Sequence, residues 1–74
     1  MTHTVETVSA TALLSAFRLI QNDMVVARVE GREADARKSI DLYAAQYVSE
    51  GPVAVQQRAG KSYRTLYILA ERKA

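Results

Sequence analysis

The sequence predicts an α+β fold, a small antiparallel or mixed three-stranded sheet with two helices in the order helix, strand, helix, strand, strand. Three observations predict it. Apolar residues recur at helical spacing around residues 13–20 and 36–47. Three other stretches, 24–30, 53–58 and 62–69, alternate in polarity or are rich in β-branched and aromatic residues. Turn-forming residues punctuate the boundaries at Asn22–Asp23, Gly31, Gly51–Pro52 and Gly60.

The first helix is expected from Ser9, a side chain suited to capping, to about Gln21. Leu13, Ala16, Phe17 and Ile20 follow the i, i+3, i+4, i+7 pattern of one helical face, and Leu14 and Leu19 widen the stripe. Asn22 and Asp23 end it. Met24–Glu30 then reads as a strand with Val25, Ala27 and Val29 on one face, closed by Gly31. The second helix opens with Glu33 and Asp35, where the helix dipole favours negative charge, and sets Ala36, Ile40, Tyr43 and Tyr47 on its inner face. Gly51 and Pro52 stop it.

Val53–Arg58 and Ser62–Leu69 flank Ala59, Gly60 and Lys61 and form a hairpin. A three-residue loop is the expected connection, because it sets Val53 and Val55 with Tyr63, Thr65 and Tyr67 and leaves Gln56, Arg58 and Arg64 together on the opposite face. Residues 1–8 are read as a fraying N-terminus without a strand, 9–70 as one domain, and 71–74 as a basic tail.

Composition bounds the function. A chain of 74 residues holds one core and no deep cavity. Without cysteine or tryptophan, and with His3 as its sole histidine, it lacks thiolate metal sites, disulfides and most catalytic side chains. No apolar run approaches the ~20 residues of a membrane span. Met1–Val8 carries no basic residue ahead of an apolar run and does not read as a secretory signal, so a cytoplasmic protein without a membrane partner is expected. Glu30, Glu33 and Asp35 lie near one turn, but the helix dipole accounts for two of them, and neither a metal nor a cofactor is expected.

Charge is uneven along the chain. Residues 1–50 hold five basic and seven acidic side chains, a net −2, whereas residues 51–74 hold five basic and one acidic, a net +4. Such asymmetry orients an acidic partner. The chain is therefore read as a non-enzymatic protein-interaction module, an inhibitor or adaptor, that binds an acidic protein surface through Arg58, Lys61, Tyr63, Arg64, Arg72 and Lys73. The alternative is a DNA- or RNA-binding protein using the same basic hairpin and tail, disfavoured by the modest net charge of +2. Leu66 and Ile68 form a second apolar face on the last strand, a candidate interface compatible with a homodimer. The remaining enzymatic reading, a metal-independent ribonuclease using Lys61, Tyr63 and Arg64, ranks below both. In size and composition the chain is similar to small proteins of phages and mobile elements that block a host macromolecule, a likeness that touches no particular residue.

Overall fold

The computed structural model describes residues 14–72, and the expected cap at Ser9, the N-terminal segment and Lys73 lie outside them. Two hairpins flank one helix: β1 (Leu14–Gln21), β2 (Met24–Arg32), α1 (Glu33–Tyr47), β3 (Val53–Ala59) and β4 (Ser62–Leu69). A short 3-10 turn, Val48–Glu50, follows α1. The sheet has the order β2-β1-β3-β4 and every neighbouring pair is antiparallel. Among the described residues the expected three-stranded sheet with two helices is thus corrected to four strands and one α-helix.

The difference lies in residues 14–21, which form a central strand instead of a helix. Phe17, Leu19 and Gln21 are buried on one face, so the governing period is two and not 3.6. Ala16 and Ile20 occupy the opposite face, and their apolar character is what imitated a helical stripe. Asn22 and Asp23 do not terminate a helix. Both adopt positive φ, 55° and 63°, and close a two-residue hairpin loop that pairs Gln21 with Met24. Consecutive left-handed residues match the twist of the flanking strands, and Asn and Asp tolerate that region better than most side chains.

The remaining elements follow their sequence signals. Glu33 and Asp35 stand in the first turn of α1. Its buried residues are Ala36, Ile40 and Ala44. Tyr43, expected inside, is 41% exposed because Ala44 continues the i, i+4 line from Ile40. Gly51, with φ 142°, and Pro52 turn the chain into β3. Phe17 and Leu19 from β1 and Val53 and Val55 from β3 meet that helix face to form the core. Val26, Ala27, Val29, Tyr47, Val48, Leu66, Tyr67 and Leu69 close its edges.

The β3–β4 loop has two residues, Gly60 and Lys61, with Ala59 paired to Ser62. Gly60 carries φ 66° at the first loop position, a conformation open to glycine, which selects this loop over the expected three-residue one. Val55 nonetheless pairs with Tyr67 and Val53 with Leu69, because Leu66 is an extra residue in a β-bulge. The bulge restores the apolar match that a two-residue loop alone would have lost. Arg64, expected beside Arg58, instead pairs with Gln57 on the helix side of the sheet. A second bulge at Val26, skipped between Leu19–Ala27 and Ile20–Val25, lies on β2. Both edge strands are therefore bulged, and both extra residues pack against the core.

Candidate functional site: the open face of the sheet

Among the described residues one helix, α1, packs on the sheet, and they leave the other face of the four strands open. The register assigns its occupants. Arg28 lies opposite Arg18, Arg18 opposite Gln56, and Gln56 opposite Thr65, one polar row crossing all four strands. Next to it runs an apolar row of Val25, Ile20, Ala54 and Ile68. On the other side of the polar row stand Glu30 opposite Ala16 and Arg58 opposite Tyr63.

Arg18 is held by two neighbours on this surface. Its Nε donates to Gln56 Oε1 at 2.6 Å, and its guanidinium lies 3.9 Å from the centroid of the Tyr63 ring. Gln56 Nε2 donates onward to Thr65 Oγ1 at 3.2 Å. Hydrogen bonding and cation–π stacking hold a charge in place without neutralising it. Across the strand pair stands another positive residue, Arg28, an arrangement that destabilises a sheet relative to neutral or opposite charges. Among the described residues the one ion pair is Arg37–Asp41, on the helix. Arg18, Arg28 and Arg58 therefore have no carboxylate partner among those residues, and Glu30 pairs with none of them. Arg58 Nε instead donates to the Gly60 carbonyl at 3.0 Å.

The residues singled out from sequence fall in different places. Arg58 and Tyr63 share the open face, Lys61 is exposed in the loop, and Arg72 is exposed beyond β4. Arg64 lies on the other face, where its Nη2 donates to Gln57 Oε1 at 3.4 Å, so Lys61, Tyr63 and Arg64 do not converge. Ile68 projects from the open face with 69% exposure, while Leu66 packs against the core. Among the described residues no group of three metal-ligating side chains gathers, Glu30, Glu33 and Asp35 included. Among the described residues no helix is long and apolar enough to cross a membrane.

Arg18, Arg28 and Gln56 were missed as site residues because 14–21 was read as a helix. The signal was present: Arg18 sits between Phe17 and Leu19, where a period of two turns it away from the core.

The helix side holds a second polar cluster. The Tyr67 hydroxyl donates to Asp41 Oδ1, which also accepts from Arg37 Nε at 3.3 Å. Burial, then the adjoining carboxylate, pushes the Tyr67 hydroxyl up to about 12. This cluster ties α1 to β4 and faces away from the open surface.

Comparison with known protein families, characterised proteins and solved structures finds no match. The open face therefore has to be read from its own chemistry.

Proposed function

We propose that this protein is a non-enzymatic binding module that holds an acidic protein surface on the open face of its sheet. The observation that carries the reading is the Arg18–Arg28 pair: two arginines face one another with no carboxylate partner among the described residues, one of them fixed against Gln56 and Tyr63. Like charges opposed across strands cost stability, and an anionic partner relieves that cost on binding. Arg58 and Tyr63 extend the surface towards the hairpin loop, where Lys61 adds charge at the rim. The apolar row beside the arginines favours a protein over a bare polyanion, because interfaces combine an apolar centre with a polar border.

A homodimer that stacks two open faces sets arginines against arginines, and the bulged edges oppose strand-to-strand pairing. A partner different from this chain fits better. A single observation favours nucleic acid, the Tyr63 ring beside Arg18 and Arg58, which is the pairing of stacking and charge that single strands use. Its ring is already covered by Arg18, and no second aromatic residue stands on the described open face.

Fluorescence anisotropy with labelled poly-L-glutamate and labelled single-stranded DNA tests the assignment. Combined Arg18→Glu and Arg28→Glu substitution is expected to weaken poly-glutamate binding by roughly tenfold or more at low salt. Combined Arg37→Glu and Lys38→Glu substitution, an equal charge change on α1, is expected to leave it within about twofold. Equal loss in both variants would reduce the effect to net charge and contradict the proposal. Binding of DNA alone would transfer the face to the second reading.

A further inference from the structure

We infer, on this reading of the open face, that its natural occupant is an acidic amphipathic α-helix of another protein, lying across the strands. Its apolar stripe rests on Val25, Ile20, Ala54 and Ile68, and its acidic flank meets Arg28 and Arg18.

Backbone chemistry selects the helix. In a sheet the N–H and C=O groups lie in the plane of the strands, so a segment lying on the face finds no main-chain partner there. It must satisfy its own backbone, which a helix does internally. An extended segment would have to add at an edge, and both edges are bulged, at Val26 and Leu66.

Spacing agrees. The apolar and polar rows are two residues apart along β1 and β3, roughly 7 Å, and three apart along β2 and β4, where the bulges take up the extra residue, so the separation lies within the ~10 Å diameter of one helix. Crossing four strands takes about 14 Å, or some ten helical residues, close to three turns.

Charge sets the flank. The polar row carries Arg28 and Arg18 with no acid of its own, so glutamates along one side of the incoming helix meet guanidinium groups that have no carboxylate partner among the described residues. Exposure of 69% at Ile68 and 37% at Val25 leaves apolar surface at both ends of the other row for the stripe to cover.

The test is an amide-shift titration of the full ¹⁵N-labelled chain with three probes: a 14-residue helical peptide with a leucine stripe and a glutamate flank, a scrambled peptide of the same composition, and poly-L-glutamate. The amphipathic peptide is expected to shift Arg18, Ile20, Arg28, Ala54 and Ile68 and to bind at least about fivefold tighter than the scrambled one. In Ile68→Ser, with amide dispersion confirming the fold, that preference is expected to disappear while poly-glutamate binding persists. Equal binding of the two peptides, or shifts confined to α1, would overturn the helix inference and, if poly-glutamate still perturbs Arg18 and Arg28, leave the acid-binding reading intact. Absence of any shift at Arg18 and Arg28 with all three probes would overturn both. Single-stranded DNA binding the same residues more tightly than the peptide would also overturn the inference.

Discussion

Gln21 is the buried polar side chain of the described core, 6% exposed at the end of β1. Its Nε2 donates to the Tyr47 carbonyl at 2.9 Å and to the Gly51 carbonyl at 3.0 Å. These acceptors lie where α1 ends and the chain turns towards β3, a place where helices leave carbonyls unpaired. One amide thus ties the first hairpin to the helix terminus. Gln21→Leu keeps the volume roughly constant but strands both acceptors, and is expected to lower stability by about 1–3 kcal/mol in urea unfolding. An unchanged midpoint would mean that water serves these carbonyls equally well. Arg18 has a different role at this scale. It is half-buried, yet its hydrogen bond and ring contact hold its charge on the open face without joining it to an acid.

Element by element, legibility in the sequence depended on whether one period dominated. In β2, α1 and the second hairpin a single pattern prevailed, with Gly31, Gly51–Pro52 and Gly60 near the correct boundaries. In β1 two patterns coexisted, because Phe17 and Leu19 alternate as a strand while Ala16 and Ile20 supply further apolar residues at helical offsets. Tertiary pairing decided in favour of the strand, which has β2 on one side and β3 on the other. The bulges had no local signal, since Val26 and Leu66 are ordinary strand residues whose extra position appears only against a partner. Contact between α1 and β4 likewise depends on the fold. Tyr67 bonds to Asp41, while the Arg37–Asp41 pair itself, with both side chains over 40% exposed, contributes little. Because the folded Tyr67 hydroxyl titrates near 12 against an ordinary 10.0, the stability it contributes is fully present below pH 10 and is lost as pH rises towards 12. Melting temperatures from pH 9 to 12 are expected to fall more steeply for the native chain than for Tyr67→Phe. Parallel curves would remove Tyr67 from the alkaline transition.

At the scale of the described molecule, the arginines of the open face come from both sides of the division at Gly51. The sequence separates a negative first part from a positive C-terminal part at Gly51, yet the open face draws Arg18 and Arg28 from the former and Arg58 from the latter. Asp35 and Asp41, which help to make the first part negative, belong to α1 on the opposite side of the sheet. Summation along the chain therefore hid a basic surface that folding assembles. The basic hairpin was legible, but of Arg58, Tyr63 and Arg64 only the first two share the open face, because the two-residue loop sets Arg64 opposite Gln57 on the other side.

The open basic face exists only if β1 is the central strand that carries Arg18 between Arg28 and Gln56. The most direct test is a nuclear Overhauser spectrum of the full chain across residues 14–21. Cross-strand contacts from Arg18 to Arg28 and Gln56, with the Tyr63 ring close to the Arg18 side chain, are the expected result. Sequential amide contacts with Cα to amide i, i+3 connectivities through Phe17 and Ile20 would establish a helix there, dissolve the open basic face and contradict the account.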